Sequence, residues 1–276
     1  MPLTTLYGDG TRVIGDINTF IPERLHPQVA NYISRLSTAG YNPSVNEITA
    51  INNLIWSMVT TGIYAKCDLI YPVIGSSTST VGFDLKNTFN ATFSGSWTVA
   101  STGMRPTTAN TANRADTGWN PNLYGSGTND HLAAYFRTTT TTSNVPIGAS
   151  DGVNFFQMNA ISGINAGNMV INNTVAGIMR MTLTTAAGYW IGTRISSTNS
   201  KAFVDGIERS STTNSTANRP NFSVALGCRR TGTSTYDQPS TTEMAYISIG
   251  DGLTPEEVRL YNIMVQSYQQ RLGRQV

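Results

Sequence analysis

Two short clusters carry the residue types a sugar site needs, an aromatic ring beside hydrogen-bonding and charged groups. Trp119, Tyr124, Asn129 and Asp130 fall in one loop-like stretch, and Arg229, Arg230, Tyr236 and Asp237 fall in another. In each, a ring could stack on a saccharide while amide, carboxylate or guanidinium groups take its hydroxyls. The plainer alternative is that Trp119 covers one end of a β domain and the rest is solvated loop, since most loop residues carry no function.

Catalysis needs more than these clusters provide. The chain holds two histidines, His26 and His131, and two cysteines, Cys67 and Cys228, far apart. A several-histidine metal centre is therefore excluded, and no Cys-x-x-Cys pair is present to hold zinc. Acidic residues cluster as Asp205 with Glu208 and as Glu256 with Glu257. The first pair borders an Asp-Gly turn, and the second sits where a helix's first turn favours carboxylates. A serine nucleophile elbow is not expected, nor a phosphate-cradling glycine loop. The expectation is a protein that is not an enzyme and has no cofactor. Both cysteines lie in apolar runs and read as buried free thiols.

The elements that must position the clusters come from a weakly charged chain. Charged residues make up 12% of the sequence, against roughly 25% in ordinary domains. Ser, Thr and Asn supply about a third of it, yet 39% is hydrophobic, which favours a folded β protein over disorder. A net charge of +2 with scattered arginines gives no basic stripe, so neither nucleic acid nor a membrane surface is expected as partner. No apolar run approaches the ~18 residues of a membrane helix. The opening Met-Pro-Leu-Thr-Thr shows no secretory signal, which predicts a protein made and soluble in a cytoplasm.

Residues 1–41 read as an irregular extension, with turn signals at Gly8-Asp9-Gly10 and Gly15-Asp16 and a short helix from Val29 to Leu36. The segment is too poor in apolar residues to fold alone and must pack on the main domain or on another chain. Residues 42–276 form that domain. A helix over 44–60, capped by Asn42 or Ser44, presents Ile48, Ile51, Leu54, Ile55, Met58 and Val59 on one face and ends at Gly62. A strand is expected over Ile63–Val73. Short apolar runs then recur about every ten residues, as in a sandwich or jelly roll. They include Trp97–Val99, His131–Arg137, Val153–Met158, Met169–Ile171, Met179–Leu183, Tyr189–Ile195, Lys201–Val204, Phe222–Gly227 and Glu243–Ile249. A second helix over 255–272 starts with a Thr254 cap and Pro255.

Two groups of motifs carry a resemblance. Tyr189-Trp190-Ile191-Gly192, Ala202-Phe203-Val204-Asp205-Gly206 and Leu226-Gly227-Cys228-Arg229 resemble the laminin-G, or concanavalin-like, sandwich. The Asp-Gly between two β runs is a strong hairpin signal. Gly40-Tyr41-Asn42-Pro43-Ser44, Lys66-Cys67-Asp68-Leu69-Ile70-Tyr71 and Asp116-Thr117-Gly118-Trp119-Asn120-Pro121 resemble tailed-bacteriophage virion proteins with a concanavalin-like domain. The likeness spans roughly residues 30–272.

The resemblance implies a mainly β, concanavalin-like jelly-roll sandwich with an N-terminal extension and two flanking helices. It implies a virion structural component exposed on capsid, neck or tail, a decoration, fibre or adsorption protein attached through its N-terminal region. Partners would be other virion subunits, a homo-oligomer (trimeric by family analogy) and a host glycan. The fold also hosts glucanases and bound Ca²⁺. The paired catalytic carboxylates of the former are missing, and no dense Asp/Asn ligand pattern indicates the latter.

Overall fold

The computed structural model describes residues 25–138, 144–215 and 218–276. The early turn signals at Gly8–Gly10 and Gly15–Asp16, and most of the Thr138–Thr142 run, lie outside the described residues.

Five helices flank the sheets among the described residues: α1 Pro27–Thr38, α2 Val45–Thr60, α3 Ile63–Lys66, α4 Thr78–Val81 and α5 Pro255–Arg271. Ser44 is the cap of α2. Its Oγ accepts the Glu47 N–H, while the Glu47 carboxylate accepts the Ser44 N–H at 2.7 Å. Thr254 and Glu257 repeat this reciprocal arrangement at α5, satisfying N–H groups that a helix start leaves without partners. Gly62, at φ +78°, takes the left-handed conformation that ends α2. The run from Ile63 to Val73 is not one strand. A single helical turn, α3, first buries Ile63, and the strand begins at Cys67.

The strands, in order, are β1 Cys67–Tyr71, β2 Thr92–Ser94, β3 Trp97–Ala100, β4 Gly103–Pro106, β5 Arg114–Asp116, β6 Asp130–Phe136, β7 Ile147–Ser150, β8 Phe155–Asn159 and β9 Gly163–Asn173. There follow β10 Met179–Leu183, β11 Gly188–Ser196, β12 Asn199–Val204, β13 Ile207–Thr212, β14 Ala225–Leu226, β15 Arg229–Arg230, β16 Tyr236–Asp237 and β17 Met244–Gly250. They build two sheets. The first runs β13-β12-β11-β6-β17-β4-β3, with β1 on β17; the second runs β10-β9-β8-β7-β14-β5-β2, with the β15–β16 hairpin on β7. Pairing is antiparallel except where β15 lies parallel to β7.

The layers follow from which side chains each face buries. Between the sheets sit Leu132, Ala134, Phe136, Trp190, Ile247 and Ile249 from the first and Phe156, Met158, Met169, Ile171, Met179 and Met181 from the second. The other face of the first sheet, with Ala133, Tyr135, Tyr189, Ile191 and Tyr246, packs under α1, α2 and α5. Val29, Tyr32 and Leu36 of α1 are fully buried there, so the described part of the extension is built into the main body. The centre of the first sheet is thus covered on both faces, and β6 and β17 are buried at every position. β10 instead alternates buried and exposed residues, the signature of a strand with one face in solvent. Among the described residues no helix covers the outer face of the second sheet, although β7 and most of β8 are buried.

The Val204-Asp205-Gly206 hairpin forms as its sequence demands. Asp205 and Gly206 both have positive φ, +52° and +74°, the geometry a two-residue turn needs to follow the strand twist. The Asp205 carboxylate accepts the Tyr189 N–H at 2.8 Å and a Gln266 side-chain N–H at 2.9 Å. Glu208 pairs with Lys201 at 2.6 Å. Both acids are thus occupied in holding the turn and its strands.

Candidate functional site

The two sequence clusters meet different fates. Trp119, expected as a sugar platform, is fully buried between the sheets, 5.2 Å from Phe156 ring to ring. Its indole N–H donates to Asp68 at 2.9 Å, and burial raises the Asp68 carboxyl above its ordinary range. It cannot meet a ligand. Asp130 is 1% exposed and accepts the N–H groups of Ser126 and Gly127 and the side-chain amide of Asn172. It folds the loop before β6, and burial raises its carboxyl too. Asn129 is half-buried and Tyr124 is exposed, resting edge-on against Phe89 at 4.8 Å. Around them the buried Asn172 Oδ1 and Arg194 Nη2 have no hydrogen-bond partner among the described residues. The polar groups at this end of the sandwich point inward, and the cluster does not assemble into a surface.

The second cluster does assemble. Arg229 and Asp237 face each other across the β15–β16 hairpin. Arg229 Nε and Nη2 donate to the two Asp237 oxygens at 2.8 and 2.5 Å, the bidentate geometry that guanidinium and carboxylate share. Its Nη1 donates to Gln157 Oε1 at 3.1 Å, and its guanidinium carbon lies 5.4 Å from the Phe155 ring centre. Gln157 can reach across because the residue opposite it is Gly148, where a Cβ would come within 2.7 Å of the Gln157 Cβ. Tyr236, the neighbour of Asp237, carries the Arg114 guanidinium over its ring at 4.3 Å and that of Arg230 at 5.8 Å. Arg230 in turn pairs with Asp116 at 2.6 Å.

Arg114 and Asp116 come from β5 and were not among the expected site residues. They are two apart on one strand, so both project from the open face while Ala115 between them enters the core. The Arg-x-Asp alternation was the available signal. Phe155 and Gln157 of β8 follow the same rule, flanking the core residue Phe156. Beside the hairpin, the amide oxygens Asn144 Oδ1, Asn159 Oδ1 and Gln238 Oε1 are buried without a partner among the described residues. The result is a set of half-buried aromatic, guanidinium and carboxylate groups, oriented by one another, on the outer side of the second sheet beside the buried amides of Gln157 and Asn159.

Elsewhere the candidates thin out. The spacing Gly-x-Ser-x-Gly does occur, at Gly148-Ala149-Ser150-Asp151-Gly152, a pattern the sequence reading did not expect. Ser150 ends β7, and its Oγ accepts the Gly152 N–H at 2.9 Å, so it is neither a strand-to-helix elbow nor beside a histidine. His131 is buried under α5, its ring bonded to the Asp251 carbonyl at 2.5 Å and to Ser248 Oγ at 3.3 Å. Burial lowers it to about 4, so it stays neutral. Cys67 and Cys228 are free and buried, their thiols pushed up to about 12 by burial. Among the described residues no group of three or more His, Cys, Asp or Glu side chains could hold a metal ion, and no helix is long and apolar enough to cross a membrane. A cleft of about 290 Å³ between α2 and α5 contains Tyr268, whose hydroxyl is already bonded to the Pro72 carbonyl.

No protein-family model matches this chain, and no curated protein matches it. Solved structures do. Domain 4 of an extracellular arabinanase from Geobacillus stearothermophilus, solved with arabinotriose, is similar at 17% identity over 71% of this chain and 99% of that one, with a TM-score of 0.45. A Trypanosoma rangeli sialidase is similar at 9% identity over 78% of this chain and 38% of its own, at a TM-score of 0.48. A receptor binding domain is similar at 9% identity over 74% of this chain and 52% of its own, at 0.50. This chain therefore spans about half or less of the latter two. At these identities the likeness concerns the fold: a mainly β, concanavalin-like jelly-roll sandwich, here with helices on one side.

Proposed function

We propose that this chain is a non-catalytic carbohydrate-binding sandwich whose glycan surface is the open face around Arg229, Tyr236 and Asp237, with Arg114, Asp116 and Arg230 completing it. The supporting observation is the preorganised cluster itself. Partly exposed ion pairs such as Arg229–Asp237 and Arg230–Asp116 contribute only about 0–1 kcal/mol to stability. Stability alone is a weak reason to array them on the one sheet face without a helical cover. Stacked rings and fixed polar groups are what saccharide recognition requires. Both carboxylates on the face are engaged by arginine, which leaves no free acid–base pair for glycoside hydrolysis. Full-length protein on a glycan array, with and without Ca²⁺, should give signal that Tyr236→Ala abolishes while thermal stability is kept. An array silent under both conditions would remove the reading.

The setting we propose is a tailed-phage virion, with the sandwich exposed and the N-terminal region attaching it to other subunits, as the resemblance of residues 32–71 suggests. Peptides of this chain in the proteome of purified particles would support that setting, and their absence would end it. A homo-oligomer, trimeric by family analogy, belongs to the same proposal and is checked by light scattering of the purified chain.

A further inference from the structure

The cluster around the β15–β16 hairpin carries three guanidiniums, and they are not equally occupied. Arg229 uses Nε and Nη2 on Asp237 and Nη1 on Gln157. Arg230 donates to the Gly232 carbonyl, the Thr233 carbonyl, Asp116 and Ser223 Oγ. Arg114 makes a single hydrogen bond, from Nη1 to the Thr111 carbonyl at 3.1 Å, and has no carboxylate partner among the described residues. Three arginines against Asp116 and Asp237 leave one positive charge, and it resides on Arg114. That guanidinium is nevertheless held in place, 4.3 Å above the Tyr236 ring. Such contacts favour a fixed cation, about 0.5–1 kcal/mol at exposed sites. A guanidinium fork with unused N–H groups is the planar, bidentate match for a carboxylate.

We propose that the open face selects carboxylate-bearing saccharides, with Arg114 receiving the sugar carboxylate and Tyr236 supporting the ring beside it. The inference rests on the glycan-binding reading above and adds the ligand's charge. Asp116 and Asp237 do not oppose it, because each is already matched to its own arginine. Lys could not substitute fully for Arg114, since an ammonium neither stacks flat nor donates through a fork.

The test uses the full chain and three immobilised probes: polygalacturonate, the same polymer with its carboxyl groups reduced to alcohols, and a neutral galactan. Wild-type protein should bind the acidic polymer at least tenfold tighter than its reduced form, with affinity falling as salt is raised from 50 to 300 mM. Arg114→Gln should erase that preference with its melting temperature unchanged, and Arg114→Lys should restore part of it. Equal binding to acidic and reduced polymers, or binding to neutral galactan only, overturns the charge selectivity and leaves glycan binding intact. Binding to none of the three here, together with a silent array, overturns both.

Discussion

The two sheets of this molecule are made from the same kind of short strand and are used in opposite ways. The centre of the first sheet is buried on both faces, by the second sheet on one side and by α1, α2 and α5 on the other, while its edge strands β13 and β3 are partly exposed. Tyr189 and Tyr246 of its outer face pack edge to face with Tyr261 of α5, and the hydroxyls of Tyr246 and Tyr261 meet at 2.7 Å. Tyr261 also donates to Ser248 at 2.9 Å. The second sheet carries no helix on its outer side among the described residues; β10 alternates into solvent there, and half-buried arginines and acids line β5 and the β15–β16 hairpin beside buried amides. One sheet holds the fold together through its aromatic layer; the other is free to vary its outer face for binding.

That contrast is easiest to break in the covered layers. Trp119→Ala should destabilise the protein by about 3–5 kcal/mol in denaturant unfolding, because a fully buried indole is replaced by a cavity. A mild stability effect with loss of glycan signal would instead restore Trp119 as a binding platform. Ile191→Ala, under the helices, should cost about 2–5 kcal/mol.

Acid should open the covered side as well. His131 is neutral in the fold, lowered to about 4 from its ordinary 6.5. A group bound less readily by protons when folded contributes stability that is complete above pH 6.5 and lost as pH falls toward 4, roughly 3 kcal/mol in all. The measurement is unfolding free energy between pH 7 and 4. His131→Gln should flatten the profile, and an unchanged slope would show that other groups set it.

Smaller effects sharpen the picture. Ser44→Ala and Thr254→Ala should each cost about 1 kcal/mol, since each removes one half of a capping box. Arg180→Ala, on the exposed face of β10, should change stability by less than about 0.5 kcal/mol. A large loss there would mean that the second sheet is covered after all.

The covered sheet was the more legible in the sequence. The run from His131 to Phe136 and that from Met244 to Ile249 are nearly continuous apolar stretches, as strands buried on both sides must be. Both long helices declared themselves by capping residues and a one-sided apolar face. On the second sheet, Met179–Leu183 was readable because it alternates, but β9 runs over Gly163–Asn173 where only Met169–Ile171 looked like strand. Its asparagines and glycines have low strand propensity, and pairing with β8 and β10 overrides that. β4, β5 and β7 are short and contain Pro, Arg, Asp or Gly, so local pattern does not mark them.

The site divides in the same way. Arg229, Tyr236 and Asp237 lie within one hairpin, and their proximity is visible in the sequence. Asp116 meets Arg230 across 114 residues, and nothing local announces such a contact. Trp119 misled because sequence shows an aromatic residue after a turn but not which way its ring points. Its partner, Asp68, is 51 residues upstream.

The central claim, that the open face of the second sheet is the glycan surface, is tested most directly by mapping backbone amide shifts during titration with the best saccharide from the array. The account predicts perturbations concentrated at 114–116, 155–157 and 229–237, and none above background on α2 or α5. Shifts centred on residues 122–130, or confined to the helical layer, would contradict it.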